Sequence, residues 1–238
     1  MDRPDIAPSP LSSPVISAQA ADRAATFLRA VYGWMAGGLA ITAATAWAVA
    51  SRPALVQTLA TNRAAFWGLL IAQFGIVIII SARVQRLAPA SAALLFLLYS
   101  ALTGVFLSFV LLLFARESVA ATFMVTAGTF GTLAVYGTVT RRDLSGLGQF
   151  VLMGLVGVVI ASIVGIFWQN DMFQFILSVC GVIVFTGLTA WDAQRLRAMA
   201  LALPEGQTGS YAILGALKLY LDFINLFLFL LRFLGRRR

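Results

Sequence analysis

YAILGALKLYLDFINLFLFLLRFL, residues Tyr211–Leu234, decides how this chain is read, because it is long and apolar enough to cross a bilayer yet carries Asp222 near its middle. An ionised carboxylate at membrane depth is disfavoured by ~2.5–3.5 kcal/mol on insertion scales, so such a residue faces a bundle interior or a watery cavity and marks function. Helical geometry puts Lys218 at i−4, Asn225 at i+3 and Phe229 at i+7 from it, which gathers the polar groups on one stripe. That stripe belongs inside a bundle.

The rest of the chain is built to the same rule. Of its 238 residues 61% are apolar and 11% charged, with a mean hydropathy of +0.92, against roughly 45–50% apolar and about 25% charged in soluble domains. Apolar stretches at 32–50, 64–81, 92–114, 120–139, 150–167, 173–191 and 211–234 each approach the ~20 residues that a ~30 Å hydrocarbon core demands. None alternates with the period of two that a membrane β-barrel needs. The reading is an all-α integral membrane protein with one seven-helix domain, residues 23–238. Residues 1–22, with Pro4, Pro8, Pro10 and Pro14 among Ser and Ala, read as a disordered tail rather than a signal peptide. Spacings such as Gly33-x-x-x-Gly37, Gly128-x-x-Gly131 and Gly154-x-x-Gly157 predict close helix packing.

Charge gives orientation. The net charge is +8, but the arginines stand as singles and pairs at helix ends, the pattern of topology signals rather than of a nucleic-acid face. With the N-terminus cytoplasmic, Arg3, Arg23, Arg29, Arg83, Arg86, Arg141, Arg142, Arg195 and Arg197 fall inside, and only Arg52, Arg63 and Arg116 fall in outside loops. The tail Arg232, Arg236, Arg237 and Arg238 opposes this, so the last stretch either crosses despite its charges or re-enters.

Absent residues exclude chemistry. The chain has no histidine, which removes the commonest general base and zinc ligand and rules out a rhomboid-type serine protease. Cys180, the sole cysteine, reads as a small buried hydrophobe. Lys218 as a retinal Schiff base would lack a counter-ion, since the third stretch supplies no carboxylate. No enzyme and no bound cofactor are expected.

What remains is acidic. Asp171 reads as a solvated loop residue, whereas Asp192 ends the sixth stretch near the cytoplasmic interface, with Arg195 at i+3. Were the sixth and seventh helices antiparallel neighbours, straight geometry from Tyr211 would leave Asp222 ~16 Å deeper than Asp192. If the two meet, both cannot ionise easily in a low dielectric and they share a proton; deprotonated, they present hard oxygens suited to transient Ca²⁺ binding. Arg83, ending the second stretch on the same side, is a candidate partner for a carboxylate, and Lys218 is the competitor within the helix.

At TGLTAWDAQRLR (Thr186–Arg197) and ALKLYLDFINLFLFLLRFLG (Ala216–Gly235) the sequence resembles the Bax inhibitor-1 family in a bacterial form. The first segment is similar to a G-x-T-x-[YW]-D-x-Q signature and the second to L-Y-L-D-x-[IV]-N-L-F, with weaker echoes at WMAGGLAITAATAW (Trp34–Trp47) and LFLLYSALTGVFLS (Leu95–Ser108). The resemblance implies a last helix wrapped by the other six, and a pH-sensitive calcium leak across the bacterial inner membrane. It also implies that Asp192 and Asp222 form a pH sensor, that Arg83 is the second-helix arginine, and that Arg232 belongs to a second latch. Two features depart from it: the second stretch offers Gln73 and no acid to Arg232, and Lys218 stands beside the site. The expected partners are lipid, calcium or other cations. The alternative is a non-transporting interaction protein that modulates a membrane protease or stress pathway through the proline-rich tail.

Overall fold

The structure, a computed structural model, describes residues 14–168, 170–203 and 208–236. These residues form eight helices: α1 (Pro14–Ala50), α2 (Pro53–Thr61), α3 (Arg63–Arg83), α4 (Pro89–Leu113), α5 (Arg116–Val139), α6 (Ser145–Phe167), α7 (Asp171–Ala202) and α8 (Thr208–Leu234). All but the nine-residue α2 are long and apolar enough to cross a membrane. Seven spans in an all-helical chain agree with the sequence reading. Helix starts follow local chemistry: proline opens α2 and α4, where a missing N–H costs nothing. Asn62 and Asn170 cap α3 and α7 by accepting from the Ala65 and Phe173 amides, each at 3.1 Å.

Two helices run well beyond their apolar stretches. α1 begins at Pro14, so residues 14–22, expected as tail, are helical. Alanine is the best helix former, and Ala18, Ala20, Ala21, Ala24 and Ala25 carry the helix past the apolar part. Residues 1–13 of the expected tail lie outside the described residues. α7 continues past Trp191 to Ala202. Hydropathy marks only the portion that meets lipid; a helix already nucleated extends into water at little cost per residue.

α8 is the most deeply buried span: 78% of its most apolar window is covered, against 11–39% in the other six. Its principal neighbours are α1, α4, α5 and α7, whereas α3 rests chiefly on α4 and α6 on α7. Four helices therefore flank α8 closely, not the six that the resemblance implies, and α3 and α6 form an outer layer. α3 accordingly turns Trp67, Ile71, Phe74 and Ile78 outward. Arg236, just past α8, accepts at its carbonyl from the Ala115 N–H at 3.0 Å and donates its own N–H to the Ser118 hydroxyl at 3.1 Å, at the start of α5. At the other end Ser210 of α8 donates to Leu87, just before α4. α8 is thus one unbroken helix that runs the length of α4, from Leu87 just before it to Ala115 just after it, and is long and apolar enough to cross a membrane.

Several glycines singled out by spacing do not carry the packing. Gly33, Gly37, Gly128, Gly131 and Gly157 face open space. Close approach happens instead at Gly104, where an added Cβ would sit 2.6 Å from the Thr42 carbonyl oxygen, and at Gly181, where it would meet the Phe229 ring at 2.5 Å. Because Gly181 turns toward α8, its neighbour Cys180 turns outward and is exposed, not buried as expected.

Candidate functional site: an acidic pair between the last two helices

The register of α7 against α8 is fixed by contacts on both sides of the acidic residues. Toward one end Phe229 lies over Gly181 and stacks on Phe185, with ring centroids 5.8 Å apart. Toward the other, Leu196 packs on Gly215. Interpolating at 1.5 Å per residue puts Asp192 level with Lys218 and Leu219, and Asp222 about one turn, ~5 Å, deeper. The expected depth gap of ~16 Å closes because α7 runs ten residues past Asp192 before the chain turns, so α8 is already well into its crossing when it comes level with Asp192.

Asp192, Lys218 and Asp222 consequently fall within about one helical turn of one another along the α7–α8 seam. Asp222 is 5% exposed, and its Oδ2 has no hydrogen-bond partner among the described residues. Asp192, half-buried on α7, is the acidic residue that interacts with it across the seam. Lys218 acts on both carboxyls, and Arg195 acts more weakly on Asp192 alone. The Arg195 guanidinium rests 5.4 Å from the centroid of the Trp191 ring, a cation–π contact that keeps it at the rim. An acceptor with an unused oxygen in a buried site either holds a proton or demands a cation.

The other expected members lie elsewhere. Arg83 stands exposed at the end of α3, and the cations that act on the pair are Lys218 and Arg195 instead. The reason is lateral: α3 packs on α4, not on the α7–α8 seam. Arg232 donates to Gln174 Oε1 of α7 at 3.2 Å and lies 5.8 Å from the Phe229 centroid. Gln73 donates to Thr103 Oγ1 of α4 at 3.0 Å and is not joined to Arg232. Asn225 returns its amide N–H to the Leu221 carbonyl of its own helix at 2.8 Å. Asp171 is exposed at the first turn of α7.

Among the described residues no three His, Cys, Asp or Glu side chains gather as a metal site. Two carboxyls beside an ammonium fall well short of the six to eight oxygens that Ca²⁺ takes. The pair does not fit a resident calcium ion.

The family model described as "Inhibitor of apoptosis-promoting Bax1" matches residues 24–238. The chain belongs to the Bax inhibitor-1 family. Among similar proteins, the inner membrane protein YbhL of Escherichia coli K12 is 47% identical over 216 residues, covering 90% of this chain and 92% of that one. An uncharacterized protein of Borreliella burgdorferi is 43% identical over 214 residues, covering 89% and 92%, and one of Caulobacter vibrioides is 39% identical over 223 residues, covering 89% of each. This Bax inhibitor-1 family member accordingly has seven helices long and apolar enough to cross a membrane, and its relative YbhL is an inner membrane protein.

A second polar cluster in the same bundle escaped the sequence reading. Thr42 Oγ1 of α1 lies 2.9 Å from both the Gly38 and Ser100 carbonyl oxygens and 2.6 Å from the Tyr220 hydroxyl. With its one proton given to a carbonyl, Thr42 accepts from Tyr220, so the phenol is the donor. Tyr220 is fully buried, its ring edge-on to Phe96 and Tyr99 at 5.6 and 5.8 Å. The signal was present: a tyrosine deep in an apolar span needs a hydroxyl partner. Its partner, however, is 178 positions away in sequence.

Proposed function

We propose that this protein is a pH-sensitive cation leak, with Ca²⁺ as permeant ion, gated by the Asp192–Asp222 pair. The observation that carries the reading is a buried carboxyl with an unpartnered oxygen, facing a second acid that reaches the half-buried rim. With one proton between them the two carboxyls hold α7 against α8. Loss of that proton, by way of Asp192 toward the cytoplasmic side, leaves two negative charges in contact, and Lys218 can neutralise only one of them. The seam then loosens or takes up a cation as the second counter-charge. Calcium passes the pair as cargo; the lone ammonium beside it keeps the ion from settling.

The test is calcium flux into proteoliposomes across pH 6 to 8. Wild-type flux rises with pH, and Asp222→Asn removes that dependence. Flux and pH profile unchanged in Asp222→Asn would refute the gate. No flux in the wild type at any pH would favour the non-transporting interaction protein.

A further inference from the structure

A lateral cavity of about 490 Å³ opens between α1, α4, α5 and α8, away from the acidic pair. Its wall on α1 and the residue after it runs from Leu39 to Ser51, a rise of ~18 Å. That matches the ~15 Å depth of one leaflet's hydrocarbon. Thr42, Trp47, Ser51 and Arg116 are its hydrogen-bonding or charged lining side chains, the last three toward the mouth. Thr42, toward the inner end, already spends its hydroxyl on Gly38, Ser100 and Tyr220, so the bottom of the groove offers only apolar surface.

The mouth is different. Arg116, exposed, is the first residue of α5. The backbone of Arg236 is bonded to Ala115 and Ser118, which brings a second cationic residue to the same corner, and Arg52 follows Ser51. Glu117 is the acidic residue there. Three arginines against one glutamate favour an anion at the rim. An apolar slot one leaflet deep with cations at its surface end has the charge pattern and length of a phospholipid.

We infer that this groove binds one acyl chain of an anionic phospholipid, with the headgroup phosphate held at Arg116. The inference is independent of the proposed leak, because none of its residues belongs to the acidic pair.

The full chain, purified in detergent and offered equal amounts of phosphatidylglycerol and phosphatidylcholine with identical chains, is examined by native mass spectrometry for retained lipid. The wild type retains phosphatidylglycerol preferentially. Arg116→Gln, a change at an exposed position, lowers that preference about 5-fold, while Arg63→Gln on α3 leaves it unchanged. Ala120→Trp, which fills the groove from an exposed position on α5, removes retained lipid of both kinds. A wild-type preference persisting in Arg116→Gln, lost equally in Arg63→Gln, or full retention in Ala120→Trp would each overturn the assignment as adventitious detergent-belt lipid.

Discussion

α8 carries two buried polar groups two residues apart, Tyr220 and Asp222, and they meet opposite fates. Tyr220 points to α1 and α4 and ends in a neutral cluster whose hydroxyl proton has an acceptor at 2.6 Å. Asp222 points to α7 and ends beside another acid with an oxygen left over. The first arrangement has one good solution at every physiological pH and acts as a staple. On the proposed gating the second has two, one protonated and one ionised, and neither satisfies every group. A side chain with a fixed proton count rigidifies; one whose count depends on pH supplies a switch.

The contrast can be broken from either side. Removing the switch is the larger change: with Asp222→Asn the slope of cation flux against pH between 6 and 8 vanishes, as measured in proteoliposomes. Next in size is Lys218→Met. The ammonium favours the ionised carboxyls, so its loss favours the protonated, closed pair and moves the rise in flux to higher pH by about 1 unit. A shift to lower pH would mean that Lys218 holds the seam shut. On the staple side, Thr42→Val leaves the buried Tyr220 hydroxyl without its acceptor and lowers stability by roughly 1–2 kcal/mol. Tyr220→Phe leaves Thr42 its carbonyl acceptors and costs only about 0.6 kcal/mol, near the mean for hydrogen bonds between membrane helices. Thermal unfolding in detergent reads both, and the pH profile of flux stays unchanged in both.

The smallest effect is expected at Asp143, in the turn before α6. Its carboxyl accepts from the Ser145 hydroxyl and backbone N–H, the latter at 2.9 Å, and these bonds hold it below the usual carboxylate range. A lowered value in the fold means stability present above the unfolded value near ~3.9 and lost only as pH falls through the folded one. Asp143 is therefore ionised throughout pH 6 to 8, and Asp143→Asn leaves the flux profile where it was.

Much of this was legible in the residues. Seven apolar stretches could only be spans, and one Asp in the middle of the last could only be tolerated by burial, so the fold class and Asp222 followed from transfer energetics. Asp192 was readable as a candidate, but its depth was not. Hydropathy ended the sixth stretch at Trp191, while the helix runs on to Ala202, and that extension brings the two acids to within about one turn of each other in depth. Arg83 misled because side of the membrane can be read from charge, whereas position around the bundle cannot. The packing glycines misled for a related reason: spacing reveals a small face but not whether lipid or a helix covers it. Thr42 with Tyr220 needed three helices in place before either residue had a partner.

The central claim is that Asp192 and Asp222 titrate as one unit. Infrared difference spectroscopy of the protonated-carboxyl C=O stretch, recorded as reconstituted protein is stepped from pH 5 to pH 8, tests it most directly. One band is expected to be lost in that interval, altered together by Asp192→Asn and by Asp222→Asn and not restored by the remaining acid. Two bands that titrate separately, each removed by only one of the substitutions, would contradict it.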